Sequence, residues 1–216
     1  MNRRLALKQL VALGALSTLG ASASAPVFAQ REAFQTLGTK VPTEVAGKVE
    51  VIEFFSYGCP HCHDFEPLLN GWVKKLQGDV SFVKVPITFN RPEWTALARL
   101  YYTLEAMGQA EEKGPAVFAA IHEQKQPLYR DDALMQWAAG AGLDSKRFGD
   151  IYKSFGVQSK VQRSNQIAAA YKVSGVPMMA VDGRYTVSAS SAGGFEQMLK
   201  EVDQLIARSR SEQKKG

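Results

Sequence analysis

The spacing of apolar residues changes several times along the chain, and each change predicts a new element. Residues Val49–Phe55 form a run of β-branched and aromatic side chains followed by a Ser-Tyr-Gly turn, which predicts a buried strand. From Cys62 to Leu76 apolar side chains recur every three or four residues, as in a helix with one buried face. Pro67 removes a backbone donor inside this helix, so we expect a kink just before it. Residues 80–87 predict a second strand, which gives a right-handed strand–helix–strand unit whose helix begins at the cysteines.

Between residues 92 and 171 the pattern becomes helical, and no segment has the pattern of a strand. Pro92 suits the first position of a helix, and Asp131 and Asp144 suit the N-caps of two others. Residues 157–172 predict the last helix of this block. We therefore expect about 80 residues of helices between two parts of a sheet.

After this block the pattern returns to short strands. Residues Met178–Val181 and 184–187 predict two strands joined by Asp182-Gly183, a pair that favours a two-residue hairpin turn. An amphipathic helix that begins near Phe195 completes the pattern. The order predicts an α/β fold in which an all-helical insertion divides one sheet. The predicted parts are a sheet domain and an inserted domain, at residues 30–90 with 172–216 and at residues 91–171.

The first residues predict an export signal. Arg3, Arg4 and Lys8 precede an apolar run, and small residues follow as far as Ala29, after which we expect cleavage, so that residues 1–29 form the signal peptide. The run is too short and too diluted by glycine and serine for a spanning helix, which needs about 20 strongly apolar positions. The arginine pair also fits a twin-arginine signal, so the choice between the Sec and Tat routes stays open.

Charge and cysteine content exclude two classes of protein. Removing residues 1–29 lowers the formal charge from +5 to +2, and no basic stripe with interleaved aromatic residues remains, so nucleic-acid binding has no support. The chain has two cysteines, Cys59 and Cys62. A bridge between them closes no long loop, which excludes a structural disulfide framework.

The spacing of the two cysteines predicts redox chemistry. At the start of a helix, unpaired backbone N–H groups and the helix dipole stabilise an anion, so we expect a lowered pKa for Cys59, which makes it the nucleophile in disulfide exchange. Cys62 lies on the same helical face and is expected to be the more buried, resolving thiol. Pro60 fits an early helical position, and His61 can place a positive charge or an N–H donor near the Cys59 sulfur. Both effects favour the reduced form, which is the property of an oxidant.

A zinc site is the main alternative for the same residues. Cys59, His61, Cys62 and His63 are possible ligands, but only His122 remains elsewhere to complete a tetrahedral shell. We therefore predict no metal. Inert buried thiols are a further alternative, which the two-residue spacing after a strand disfavours.

Three features outside the motif are candidates for chemistry. Glu53 is a carboxylate in an otherwise apolar strand, which is costly unless it has a partner or a role in proton transfer. Lys84 in the second strand is a possible partner, although a solvated surface lysine is equally compatible with the sequence. Val176-Pro177 precedes the third strand, and a cis bond there would turn the backbone toward the cysteines.

The chain resembles the DsbA family of periplasmic disulfide oxidases. The resemblance rests on residues 53–56, on the highly specific Cys59-Pro60-His61-Cys62 motif and on Gly175-Val176-Pro177. It covers most of the chain after the predicted signal. It implies an α/β, thioredoxin-like fold with an inserted all-helical domain, which agrees with the divided order of elements.

The resemblance also implies roles within the motif. Cys59 receives the substrate cysteine in a mixed disulfide, and Cys62 resolves it. His61 stabilises the thiolate, and Val176-Pro177 forms a cis-proline loop beside the cysteines.

Further expectations concern the surroundings and partners of the site. Glu53 matches the family's buried acid and Lys84 its charged neighbour, both aiding proton transfer at Cys62. The resemblance implies reoxidation by a DsbB-like membrane quinone reductase, so no bound cofactor is needed. We predict a periplasmic monomer that oxidises reduced, unfolded exported proteins.

Two other functions stay open at the level of sequence. A disulfide isomerase or reductase of the same fold would use the same cysteines at a more reducing potential. A peptide-binding chaperone or zinc-binding module would use them only structurally. Substitution of Cys59 separates the catalytic functions from the structural ones.

Overall fold

A computed structural model describes residues 33–214, and these residues form one five-stranded sheet with helices packed against it. The strands are β1 (Phe34–Thr36), β2 (Val49–Phe55), β3 (Val80–Pro86), β4 (Met178–Val181) and β5 (Tyr185–Ser188). The helices are α1 (Pro60–Val73), α2 (Pro92–Ala106), α3 (Ala110–His122), α4 (Asp131–Gly140), α5 (Ser145–Tyr152), α6 (Phe155–Ala170), α7 (Ala189–Ala192) and α8 (Phe195–Gln213). The strands lie in the order β1-β5-β4-β2-β3.

β2 is the strand that delivers the cysteines. It lies between β4 and β3, parallel to β3 and antiparallel to β4, and all seven of its residues are buried. The predominance of apolar residues in β2 is explained by this burial, since a strand covered on both faces has no solvent side for polar residues. α1 starts five residues after β2 and connects it to β3, as the sequence predicts.

Apolar side chains cover both faces of β2. On one face Val51 belongs to a cluster with Phe65 of α1 and Val202 of α8. On the other face Phe54 contacts the ring of Tyr171, which follows α6, at a centroid distance of 5.3 Å. The end of β2 is therefore fixed against helices from both halves of the sequence.

A third apolar cluster lies among α2 to α6 and includes side chains from the end of β2. The Phe55 ring contacts Tyr101 of α2 at 5.2 Å, and the Tyr57 ring contacts Phe118 of α3 at 4.9 Å. The segment between β2 and α1 is thus packed against the helices that separate β3 from β4 in sequence.

The predicted fold class is confirmed, and most predicted elements are present. Among the described residues no strand lies between β3 and β4, and five consecutive helices occupy that interval. α1 continues through Pro67, and its kink stays a prediction. The boundaries of the sheet domain and the inserted domain also stay predictions. The predicted signal and its cleavage after Ala29 lie outside the described residues.

Several boundaries differ from the prediction. Asp131 is wrong as an N-cap, because Arg130 has the extended cap conformation and Asp131 is the first helical residue, where its charge still suits the helix dipole. Asp144 is confirmed, since its side chain accepts a hydrogen bond from the backbone N–H of Arg147. α6 starts two residues earlier than predicted, because Ser154 caps it, and it ends at Ala170.

The hairpin is confirmed with a shift of one residue in its second strand. Asp182 and Gly183 have φ values of 51° and 69°, as in the turn that the pair favours, and the N–H of Arg184 donates to the carbonyl of Val181. Arg184 therefore belongs to the turn, and β5 begins at Tyr185. β1 was not predicted, because three residues are too few to establish an alternating pattern.

None of the helices in the described part of the chain combines the length and the apolar character that crossing a membrane requires.

Gly183, the glycine of the hairpin turn, is expected to tolerate no side chain. A β-carbon there would lie 2.0 Å from the carbonyl oxygen of Val41, whose own N–H donates to the Gly183 carbonyl. We predict that Gly183→Ala lowers the free energy of unfolding by about 2–4 kcal/mol, since it combines a clash with a strained φ. Urea unfolding measures this change. Gly78→Ala is the matched control, because a β-carbon at Gly78 meets no atom within 4 Å; equal losses in both variants would contradict the prediction.

Candidate active site

Cys59 is the N-cap of α1, so its sulfur lies at the end of the helix that carries unpaired N–H groups. Its φ of −97° and ψ of 118° are extended, and its carbonyl accepts the N–H groups of Cys62 and His63. Pro60 occupies the start of the helix, where its missing N–H removes no hydrogen bond. The motif therefore forms the first turn of α1, and the positive end of the helix dipole lies beside the Cys59 side chain.

The two sulfur atoms have very different environments. Both residues are free thiols; Cys59 retains 6% of its surface and Cys62 retains none. A hydrogen bond from the Cys62 side chain, then the N–H groups of Cys62 and His61 and the His61 charge, lower the pKa of Cys59 to about 6, although burial opposes them. Burial, and then the contact with Cys59, raise the pKa of Cys62 far above its usual range. At neutral pH Cys59 is the thiolate and Cys62 is the thiol.

Val176 lies beside Cys59 in the folded protein. The Cys59 sulfur lies 3.4 Å from the Val176 carbonyl oxygen, and the Val176–Pro177 peptide bond is cis, as the resemblance implied. Val176 and Pro177 line an open groove of about 660 Å³ together with the exposed His61 and the hydroxyl side chains of Ser174, Thr186 and several serines near α7. An extended chain segment has room there, next to the reactive sulfur.

Two buried carboxylates, Glu53 and Glu66, and the partly buried Lys84 lie near the cysteines. Glu53 and Lys84 are directly opposite in the β2–β3 register, and the Lys84 amino group lies 3.1 Å from Glu53 Oε2. The same amino group donates a 2.7 Å hydrogen bond to Glu66 Oε2 of α1. Lys84 therefore has two carboxylate partners. The sequence was equally compatible with a partner of Glu53 and with a solvated surface lysine, and the structure shows the partner.

Glu53 is the least satisfied member of this group. It is fully buried, and neither of its carboxylate oxygens has a hydrogen-bond partner among the described residues, because Lys84 approaches within ion-pair distance without hydrogen-bond geometry. Burial raises the pKa of Glu53 to about 7, although the attraction of Lys84 opposes it. Glu53 therefore exchanges a proton near neutral pH, and its charge helps to raise the pKa of Cys62.

Comparison with known proteins identifies the chain. The family model described as DSBA-like thioredoxin domain matches residues 50–200. The chain belongs to the DsbA family. Like its relatives, it is a thiol:disulfide oxidoreductase with a thioredoxin-type fold.

The similarity to individual DsbA proteins extends over nearly the whole chain. The thiol:disulfide interchange protein DsbA of Pseudomonas aeruginosa is 38% identical over 99% of this chain and 100% of its own length. That of Azotobacter vinelandii is 44% identical over 82% of each chain. The crystal structure of Pseudomonas aeruginosa DsbA superposes with a TM-score of 0.82 at 39% identity and covers 85% of this chain and 95% of that one.

Two residues of this DsbA-family site were missed in the sequence. Glu66 lies one helical turn after Cys62, so the four-residue spacing was available as a signal, but a glutamate in a helix is usually exposed. His122 was weighed as a possible zinc ligand or surface residue, yet its Nε2 lies 2.7 Å from the carbonyl oxygen of Tyr57. No three histidine, cysteine or acidic side chains within residues 33–214 converge as a metal site would require.

The asymmetry of the sulfur atoms predicts a single thiolate titration. In the reduced protein we expect thiolate ultraviolet absorbance to appear with a midpoint near pH 6, because Cys59 alone ionises in the neutral range. Cys59→Ser should remove this signal and leave Cys62 un-ionised over the same range. A midpoint close to the value of about 8.5 for a free cysteine would contradict this assignment.

Glu53 predicts a pH-dependent stability difference. Its pKa is about 7 in the folded protein and about 4.3 in an unfolded chain, so the folded state loses stability as pH rises through this interval. Relative to the parent, Glu53→Gln should have similar stability near pH 4 and gain about 1–3 kcal/mol above pH 7. Urea unfolding at several pH values measures the difference, with the exposed Glu111→Gln as control. A difference that does not change with pH would contradict the raised pKa.

Proposed function

We propose that this protein oxidises reduced, newly exported proteins in the bacterial periplasm by donating a Cys59–Cys62 disulfide. The observation that carries the proposal is the opposite shift of the two thiol pKa values, down for Cys59 and up for Cys62. Stabilisation of the Cys59 thiolate exists only when the pair is reduced. It therefore favours the dithiol form, and a protein whose dithiol form is favoured gives its disulfide away.

The proposed reaction has two exchange steps. A thiolate of the substrate attacks the Cys59 sulfur, the Cys59–Cys62 bond breaks, and Cys62 leaves as a thiolate that takes up a proton. A second substrate thiolate then attacks the substrate sulfur of the mixed disulfide and releases Cys59 as the thiolate. The substrate loses two electrons and gains a disulfide, while the enzyme ends as the Cys59 thiolate and the Cys62 thiol.

The surroundings support a division of labour in these steps. Cys59 is the slightly exposed sulfur, which suits attack by a substrate, and Cys62 is enclosed, which suits the leaving sulfur of the first step and, in the reverse direction, the thiol that resolves the mixed disulfide. In the proposal His61 and the start of α1, where Pro60 lies, stabilise the Cys59 thiolate. The groove beside Val176 and Pro177 receives the substrate segment that flanks its cysteine.

Proton supply to Cys62 is assigned to Glu53. The leaving Cys62 sulfur is buried and must be protonated, and Glu53 has a pKa of about 7 close to it. Lys84 and Glu66 hold this carboxyl in an environment where it exchanges its proton near neutral pH.

The remaining parts of the proposal concern the setting. The predicted signal peptide, cleaved near Ala29, supports export to the periplasm by either route. Membership of the DsbA family supports reoxidation by a DsbB-like membrane quinone reductase, with no cofactor bound to this chain. We propose that the protein acts as a monomer.

The redox equilibrium with glutathione tests the direction of the reaction. We expect a potential less negative than roughly −200 mV, more oxidising than the glutathione pool of the cytosol. A potential below about −250 mV would instead support a reductase, the main alternative. Two variants test the roles. Cys59→Ser should abolish oxidation of a reduced, unfolded test protein. The Cys59 thiolate of Cys62→Ser, when offered a test protein that already carries a disulfide, should attack that bond, release one test-protein thiol and stay in the mixed disulfide. Oxidation that survives in Cys59→Ser would defeat the proposal.

A further inference from the structure

The turn that presents Cys59 is held by hydrogen bonds on most of its polar groups. The N–H of Cys59 donates to the carbonyl of Ser56 at 3.0 Å, and the N–H of Gly58 donates to the Ser56 hydroxyl at 3.1 Å. The carbonyl of Tyr57 points to a different part of the chain and lies 2.7 Å from Nε2 of His122, at the end of α3. A side chain 65 residues away therefore supplies the partner of a carbonyl in the turn that presents Cys59.

The same turn is enclosed by α2. A β-carbon at Gly58 would lie 2.9 Å from Nε1 of Trp94, so the indole packs directly on the glycine backbone. Trp94 in turn lies under the guanidinium of Arg91. His122 therefore restrains the oxygen of the peptide group between Tyr57 and Gly58, and Trp94 packs against the α-carbon of Gly58.

The His122 ring is itself fixed in place. It stacks on His63 of α1 with a centroid distance of 5.1 Å and an interplanar angle of 12°, and it packs against Phe118. Burial lowers the pKa of His122, the charges of His63 and Lys125 lower it further, and the Tyr57 carbonyl and Asp64 oppose them. The neutral ring has one N–H, and because a carbonyl only accepts, that N–H is on Nε2.

We propose that His122 is a positioning residue that holds the Cys59 turn through the Tyr57 carbonyl and so favours the reduced form of the enzyme. In the disulfide form the bond to Cys62, a residue fixed inside α1, already holds the Cys59 sulfur. In the dithiol form non-covalent contacts alone hold it, namely the turn, the hydrogen bond from the Cys62 side chain and the N–H groups at the start of α1. The restraint from His122 therefore stabilises the dithiol more than the disulfide, and α3 contributes to the oxidising power of the pair. This inference rests on the proposed role of Cys59 as the reactive sulfur.

Three substitutions of His122 separate positioning from packing. His122→Leu fills the space without a donor, and His122→Asn keeps an amide that is too short to reach the Tyr57 carbonyl. His122→Gln places an amide N–H at about the position of Nε2. His63→Phe is the matched control, because it keeps a ring against His122 and leaves the backbone hydrogen bond from residue 63 to the Cys59 carbonyl unchanged.

The readouts are the Cys59 pKa, the equilibrium constant with glutathione and the unfolding stability of both redox forms. For Leu and Asn we expect a higher Cys59 pKa and an equilibrium shifted about two- to tenfold toward the disulfide, the equivalent of one hydrogen bond. The dithiol form should lose more stability than the disulfide form. Gln should restore these values, and His63→Phe should leave them near those of the parent.

A purely structural role predicts equal destabilisation of both redox forms with an unchanged Cys59 pKa, and that result would overturn the inference. So would a failure of Gln to differ from Leu when both fold. These outcomes leave the proposed function intact as long as the parent protein keeps a low Cys59 pKa. An ordinary Cys59 pKa in the parent would instead defeat the proposed function itself.

Discussion

The negative charge on the Cys59 sulfur is the interaction on which the other features of the site depend. The charge is stabilised by short-range donors, namely the Cys62 thiol and the first N–H groups of α1, and such donors act only when the sulfur is held within hydrogen-bond distance. β2 supplies the rigid approach, because it is buried along its whole length. The turn after β2 then delivers Cys59 to the helix end, with α2 and α3 packed against it.

The environment of Cys62 has the opposite effect from that of Cys59, because it keeps the thiol protonated. Burial disfavours an ionised Cys62, and its charge would also lie beside those of Cys59 and Glu53, so the thiol form is strongly favoured. Burial raises the pKa of Glu53 to about 7, because Lys84, which shares one positive charge between two carboxylates, opposes the effect of burial without cancelling it. A buried carboxyl of this kind lowers the stability of the fold and is suited to proton transfer. Enzyme sites commonly lose stability for the sake of activity in this way.

The sequence was informative where the physics is local. An apolar run predicts β2, the three- and four-residue spacing of apolar side chains predicts α1, and an Asp-Gly pair predicts the hairpin. Each of these signals involves a few neighbouring residues. The contact between Lys84 and Glu53 depends on the register of two strands, and Glu66 joins them from a helix, so no local pattern contained the cluster. Val176 was connected to the cysteines through a cis bond that no local pattern establishes and through the family resemblance, and the contact of His122 with Tyr57 spans 65 residues. The N-cap prediction for Asp131 was wrong by one position, because Asp131 is the first helical residue and the cap is the residue before it.

The contact between Cys59 and Val176 spans 117 residues and includes the whole helical block. Such a contact forms only after a long loop has closed, whereas the two cysteines are neighbours from the moment of synthesis. Before that contact exists the two thiols can pair with each other and with no other cysteine of their own chain. The loop that carries Val176 and Pro177 reaches Cys59 only in the completed fold, so the groove beside the reactive sulfur is formed after the motif itself.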